Sequence, residues 1–397
     1  MQAVKLICPE NGRFHFGLVG LDENSSLYQT SEIIHSDTLF SAIVTLYAQT
    51  FGKVITDDLV KAFKADEIRI SSAYHYLNVS KVFWQKNEQG KREKKLNKLG
   101  DIYFFPKPVT AGLKVKNTLD RKNVNGISYV SKGILERGIR AEKTDEEGNY
   151  WEGEGISLGK KFLIQKDELF DKLEEYLTKE KKLLEKLIEK IKQVYKEKTS
   201  PKIADHARKK QDNIYFQKDL FLQSTYINRA RLQKLAMKAD DPILIQPHFY
   251  FLLDTDWDKE SEAYKRLMFI LREILPDEGI GGGISTGCGQ VLACEVEDFS
   301  LDIPESEHQM TLSLTAPLAN DNIHFGKTIL RGGRVLGDRS KAEDAQERLK
   351  MVRMLQEGAI VSADTKGDIP KLHDNRDYYR YGKAFSIPLH PNYVIHA

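Results

Sequence analysis

The chain has 397 residues, 41% hydrophobic and 30% charged, with a formal net charge of +2. That length buries a substantial core and fits about two to three domains. A mean hydropathy of -0.47, with no apolar run near the ~18 residues of a membrane span, excludes a helical membrane protein and leaves any basic surface local.

The opening Met1-Gln-Ala-Val-Lys-Leu reads as a strand with no signal-peptide layout, so a reduced, soluble, cytoplasmic protein is expected. A turn at Asn11-Gly12 and an extended stretch from Arg13 to Gly17 follow. Leu39, Phe40, Ile43, Val44 and Tyr47 share one helical face, with Ser36 or Asp37 as the expected N-cap and a stop near Gly52. Arg69 to Trp84 is β-like, and the charged residues from Gln85 to Lys98 read as a loop or hairpin tip. In Tyr103-Phe-Phe-Pro-Lys-Pro108 the prolines favour an exposed extended segment. Leu173, Leu177, Leu184, Leu187, Ile188, Ile191 and Val194 predict one long helix over 169–198. It is either a surface helix with one buried stripe or a partner-docking helix.

Ile243 to Leu253 reads as a strand interrupted by Pro247, and Glu260 to Leu275 as an amphipathic helix. Next comes Gly279-Ile-Gly-Gly-Gly-Ile-Ser-Thr-Gly-Cys-Gly289, six glycines in eleven residues, leading into a strand at Gln290 to Val296. Beyond a linker to Pro304, strands are expected at 311–315, 327–335 and 384–389, and a short helix at 342–355. The element order predicts a ferredoxin-like βαββαβ unit spread over 1–299, with insertions at about 85–240.

The glycine loop is the strongest local feature. Glycine permits positive φ and close backbone approach, so such a loop presents amide donors to phosphate, or is simply a tight connection. It holds no lysine, follows a helix and enters a strand. That order excludes a P-loop and a dinucleotide fingerprint. Basic clusters come second: Lys114, Lys116, Arg121 and Lys122; His206, Arg208, Lys209 and Lys210; and Arg331-Gly-Gly-Arg334. Cations mixed with aromatics suit single-stranded RNA, although any one cluster is equally an ordinary solvated surface. Cys8, Cys288 and Cys294 form no disulfide framework, CxxC or metal-ligand spacing, and no catalytic or metal motif is legible. His15 and His35 have no partner legible from spacing.

Phe14-His15-Phe16-Gly17, Ile34-His-Ser-Asp37-Thr-Leu-Phe-Ser-Ala42, Phe105-Pro-Lys-Pro108, Asp212-Asn-Ile-Tyr215, the 279–289 loop and Thr311-Leu-Ser-Leu-Thr315 occur in one order. Together they resemble the RAMP superfamily of CRISPR proteins, and more narrowly its fourth Csm subunit of type III-A effector complexes. One departure is that Gly283-Ile284 stand where that family's loop carries a basic pair before its serine. A second is that residues 140–200 lie outside the resemblance.

The resemblance implies an α+β protein of two ferredoxin-like (RRM-like) domains, 1–299 with long insertions and 300–397. It implies a non-catalytic subunit, without cofactor or metal, that holds the 5′ tag of the CRISPR RNA. The implied protein partners are the large polymerase-like effector subunit and the repeating backbone RAMP subunit, with no membrane partner. The expected RNA contacts are Gly281, Gly282, Gly283, Ser285, Thr286 and Gly287, with His15, Phe16 and Gly17 beside them. Ser36 and Thr38 are expected contacts at the helix N-terminus, where Asp37 is equally a structural cap. Lys107, Lys116, Arg121, Lys122, His206 and Arg208 complete the set. The alternative within the superfamily is a metal-independent endoribonuclease that processes CRISPR transcripts, which needs a histidine near the glycine loop.

Overall fold

The computed structural model describes the chain apart from residues 19–29, 110–111, 116–125, 139–149, 154, 159–160, 175–180, 195–201, 211–212, 224, 228–242, 335–347, 375 and 392–397. Strands β1 (Gln2–Ile7) and β2 (Asn11–Phe14) precede helices α1 (Ser36–Phe51) and α2 (Lys53–Lys64). Strands β3 (Ile68–Ile70), β4 (Tyr74–Lys86) and β5 (Arg92–Pro106) follow. The inserted region carries β6 (Gly112–Val115), β7 (Tyr129–Ser131), α3 (Lys132–Arg137), β8 (Tyr150–Gly153), β9 (Gly155–Leu158), β10 (Phe162–Gln165), α4 (Lys166–Glu174) and α5 (Lys181–Val194). A hairpin, β11 (Lys202–Lys210) and β12 (Asn213–Gln223), and β13 (Thr225–Ile227) lead to β14 (Ile243–Thr255). Helix α6 (Glu262–Phe269) runs through a π-helical segment (Ile270–Ile274) into α7 (Leu275–Glu278), ahead of β15 (Ala293–Asp298).

The main sheet has the order β15-β1-β14-β4-β5-β7-β10-β9, with β3 and β13 also paired to β14. Its first four strands are antiparallel neighbours, Leu6 facing Phe249 and Cys294, and Tyr74 facing Tyr250. Taken with the helices after β1 and β14, the order 4-1-3-2 is that of a βαββαβ unit. Period-two alternation gives the sheet two buried faces. Val4, Leu6, Phe249 and Phe251 pack with Leu39, Phe40, Ile43, Leu267 and Leu271 of α1, α6 and the π segment. Ala3, Tyr74, Tyr250 and Leu252 pack on the other face with Phe104, Phe105, Met310, Leu312 and Phe385. The core is therefore shared with residues beyond 300.

Those residues form β16 (His308–Thr311), β17 (Ile323–Phe325), β18 (Thr328–Arg334), β19 (Arg348–Leu355), β20 (Ile360–Ser362), β21 (Gly367–Asp368), β22 (Gly382–Lys383) and β23 (Ser386–Pro388). A four-stranded sheet has the order β17-β20-β16-β23, and β18 pairs with β19. The helices of a second βαββαβ unit are not among the described residues of 300–397. No described helix is long and apolar enough to cross a membrane.

Several elements differ from the sequence expectation. The Phe104-Phe105-Pro106 segment is not exposed: it ends β5, buried and paired with β7 beyond the last β4 pair at Tyr103. Pro106 is tolerated there because, among the described residues, β5 has β7 as its one strand partner at that position, leaving the other side an edge. Pro247 does not interrupt β14, which is continuous from 243 to 255. It sits opposite Leu77, between the residues paired to β13 and those paired to β1. Of the expected helix over 169–198, residues 169–174 in α4 and 181–194 in α5 are helical, and 175–180 and 195–198 lie outside the described residues. Their stripe of Leu173, Leu184, Leu187, Ile188 and Ile191 is buried as expected. Residues 348–355 are strand, not helix, held in register against β18, and 342–347 lie outside the described residues. Helix α2 was not expected; Gly52, with φ of 80°, ends α1 and lets the chain turn into it.

Candidate nucleic-acid interface

The glycine loop begins where α7 stops at Gly279 and is tied to the strand residues that follow β1. Gly282 N–H donates to the His15 carbonyl (2.8 Å) and Gly289 N–H to the Arg13 carbonyl (2.7 Å). At its base Ile280 N–H donates to the Gly289 carbonyl (2.9 Å). The close approach requires glycine. A Cβ on Gly281 would stand 2.8 Å from the His15 carbonyl oxygen, and one on Gly289 only 2.4 Å from that of Ile280.

The tip of the loop is a row of free donors. Gly283 is left-handed (φ 72°, ψ 21°), and Ile284–Thr286 form a single 3-10 turn. A left-handed residue followed by a right-handed one turns three successive N–H groups toward one concavity, an arrangement that binds anions. Here those are the amides of Gly283, Ile284 and Ser285, and none makes a hydrogen bond to a described residue. The Gly283 carbonyl points the other way and is satisfied by Thr286 N–H (2.9 Å) and Cys288 N–H (3.1 Å). Gly282 and residues 284–287 are exposed, while Cys288 and Gly289 anchor the loop in the interior.

Charge distinguishes the two sides of the loop. Asp277 and Glu278 line a hollow of about 490 Å³ shared with Gly287, Gln290 and Leu292. Arg13 approaches from β2, its Nη1 3.5 Å from the Thr286 carbonyl oxygen. The cation therefore stands by the strand that carries His15. Arg13 escaped the sequence reading; its place next to Gly12 and Phe14 was its only signal.

The remaining expected residues divide three ways. His15 lies against the loop: a Cβ on Gly282 would be 3.2 Å from its Cδ2, and its exposure is 6%. Phe16 is beside the loop but belongs to the core, its ring centroid 5.8 Å from those of Phe14 and Phe249, so it offers no stacking platform. Gly17 pairs with Thr30. Strand β11 carries His206 and Arg208 opposite Gln217 and Tyr215. Its partner β12 pairs with β2, setting Phe221 opposite Arg13, so this basic hairpin extends the same sheet as Arg13. Lys107 stands apart from the loop, lining a separate cavity with Glu32, Tyr129, Lys327 and Glu357. Lys116, Arg121 and Lys122 lie outside the described residues.

The N-terminus of α1 is closed rather than open. The cap is His35, with no side-chain capping bond, so neither Ser36 nor Asp37 is the cap. Ser36 is fully buried: its hydroxyl oxygen accepts from Leu314 N–H (3.1 Å) and its amide donates to Ser72 Oγ (2.9 Å). Asp37 accepts from Arg331 and Arg380, and Arg331 also donates to Thr38 Oγ1 (3.1 Å). Burial alone would push the Asp37 carboxyl upward, but the Arg331 and Arg380 guanidiniums hold it well below the usual carboxylate range. Arg331 is thus spent on an internal ion pair, correcting its reading as part of a solvent-facing basic cluster.

Residues 304–389 match the family model of the CRISPR Csm4 C-terminal domain. A protein of Methanocaldococcus jannaschii named CRISPR system Cms protein Csm4 is 25% identical, covering 98% of this chain and 98% of its own length. A chain in the crystal structure of a Csm3–Csm4 subcomplex of the type III-A interference complex is 22% identical, with a TM-score of 0.54, covering 98% of this chain and all of that one. A chain in the crystal structure of a Csm1–Csm4 cassette with AMPPNP is 16% identical, with a TM-score of 0.48 and coverage of 98% and 97%.

Proposed function

Starting from a chain that resembles Csm4 over nearly its whole length and carries a Csm4 C-terminal domain at 304–389, we propose that it is a non-catalytic RNA-holding subunit of a type III-A CRISPR effector complex. Its RNA is the 5′ tag of the CRISPR RNA. The observation that carries this reading is the exposed nest of unbonded amides at Gly283, Ile284 and Ser285, with Arg13 at its side. Backbone donors fix a phosphate without reading a base, which suits a strand whose register is set elsewhere. The missing basic pair in the loop is offset by Arg13 and by the β11 strand that extends its sheet. The reading includes a second ferredoxin-like unit within 300–397, and docking to the backbone RAMP subunit and the large polymerase-like subunit. The test is isolation of the native assembly. A ribonucleoprotein holding both partners and a short RNA of uniform 5′ sequence is expected; the chain alone, without RNA, contradicts it.

One observation favours the endoribonuclease instead: the His15 ring lies against Gly282. Metal-free cleavage needs an accessible acid or base, and His15 is buried, at 6% exposure. Repeat RNA incubated in EDTA separates the two readings. RNA left intact supports the holding role, and cleavage abolished by His15→Ala supports the enzyme.

A further inference from the structure

The hollow on the acidic side of the glycine loop lies at the head of an open sheet edge. Strand β15 ends the main sheet and, among the described residues, pairs with β1 alone. The bond from Phe299 N–H to the Met1 carbonyl (3.1 Å) sets the phase of that ladder. Ala293, Glu295 and Glu297 turn their backbone groups toward β1, and Cys294, Val296 and Asp298 turn theirs outward. The outward groups make no hydrogen bond to a described residue. They are free to pair with one more strand.

The side chains around this edge have a definite chemistry. Ile284 is 50% and Leu292 is 55% exposed, and both line the hollow. Large apolar side chains grouped inside a polar rim mark a contact surface. Asp277 and Glu278 from the helix, and Glu295 from β15, are exposed and form no ion pair with a described residue. Asp277 and Glu278 also stand at the carbonyl end of their helix, where its dipole disfavours an acid. The neighbouring acids are already taken: Glu297 by Lys5 (2.5 Å) and Asp298 by Lys259 (3.2 Å). Arg272 acts on Cys294 through its charge but does not line the hollow. Acids on an edge discourage pairing with a second copy of the same strand. A basic strand meets the opposite condition.

We infer that the β15 edge, with the hollow at its head, docks an extended basic segment of a partner protein as an added strand. Main-chain bonds to Cys294, Val296 and Asp298 hold the segment, and its alternate side chains reach the two faces of the sheet. An apolar side chain rests on Ile284 and Leu292, and a lysine or arginine faces Asp277 and Glu278. The same acids repel phosphate, so the loop has a protein side here and an RNA side at Arg13. Ile284 belongs to both, with its amide in the nest and its side chain in the hollow. The inference deepens the proposed membership of an assembly and rests on it for the partner.

The experiment titrates the full chain with each proposed protein partner, the large subunit and the backbone RAMP subunit, and with tag RNA. Val296→Pro removes one outward N–H and leaves the bonds to β1, and proline is tolerated on an edge strand. Asp277→Lys with Glu278→Lys reverses the charge and suits the helix end, so its melting temperature is expected at or above that of wild type. Each variant is expected to bind one of the partners about tenfold more weakly, and tag RNA no more weakly, than wild type does. Wild-type affinity for both partners in either folded variant overturns the inference and leaves the assembly reading standing. If Val296→Pro melts well below wild type, the charge-reversed variant decides alone. A wild-type chain that binds neither partner removes both readings. Weakened RNA binding with partner binding intact makes the edge an RNA surface, and a loss confined to self-association in sedimentation makes the occupant a second copy. Either of these results overturns the inference.

Discussion

Asp37 and Arg331 form a two-pronged pair in the interior: Arg331 Nε donates to Oδ2 at 2.9 Å and Nη2 to Oδ1 at 2.9 Å. The residues are 294 positions apart, and Asp37 is 2% exposed. Arg380 adds a third contact, Nη1 to Oδ2 at 2.5 Å. The pair fastens the first turn of α1 to the C-terminal part of the chain. Asp37→Asn leaves two guanidiniums buried without a counter-charge. Removing one partner of such a pair costs about 3–5 kcal/mol. Denaturant unfolding should show a loss of that order, and an unchanged midpoint would mean the pair does not hold the two parts together.

The same fastening reads as an acid limit. The Asp37 carboxyl lies below its unfolded value, so its contribution is complete above about pH 4 and is lost as pH falls further. The expected measurement is a steep loss of stability below pH 4 in the wild type and a shallower one in Asp37→Asn, where that group no longer titrates. Equal slopes would remove Asp37 as the cause.

Two histidines set a milder limit. His75 and His248 are buried, and burial pulls each down to about 4. His248 Nδ1 accepts from Cys8 N–H at 3.0 Å, which requires the neutral ring on that side. Unfolded histidines take up protons near pH 6.5 while the folded ones do not. Stability is therefore complete above about pH 6.5 and declines toward pH 4, by roughly 3 kcal/mol per group. His248→Gln should flatten the pH dependence between 6.5 and 4. A wild-type profile already flat in that window contradicts the assignment.

Much of the βαββαβ unit in the main sheet was legible. The periodicity of Leu39, Phe40, Ile43 and Tyr47, and that of Tyr264, Leu267, Met268 and Leu271, marks buried faces that the structure keeps. The glycine loop was legible because Gly279, Gly281, Gly283, Gly287 and Gly289 all take positive φ, which other residues avoid. What failed depends on partners distant in sequence. Ser36 and Asp37 carry the residue types of a cap, and nothing local shows that Leu314 and Arg331 enclose them. Arg348–Leu355 is built of residues that favour helix, yet pairing with β18 makes it a strand. Helix α2 was missed because Val54, at its start, faces solvent and breaks the apolar spacing.

At the loop tip, Gly287 has φ of 82° and nothing within 4 Å of a would-be Cβ. Asparagine and aspartate tolerate that conformation better than other side chains. Gly287→Asn and Gly287→Asp should both fold, and only the aspartate sets a negative charge beside the amide nest. The expected outcome is RNA affinity near wild type for the asparagine and several-fold weaker at low salt for the aspartate. Equal affinity of all three forms would place the RNA elsewhere.

The proposed function requires the chain to grip the leading end of a guide RNA. The most direct measurement is binding of tag RNA and of a scrambled strand of equal length to the chain with its large-subunit partner, followed by recovery of the RNA. The account predicts tighter binding of the tag, weakened by Gly287→Asp, with the RNA recovered whole. Equal binding of the two strands, or a tag recovered in pieces, would contradict it.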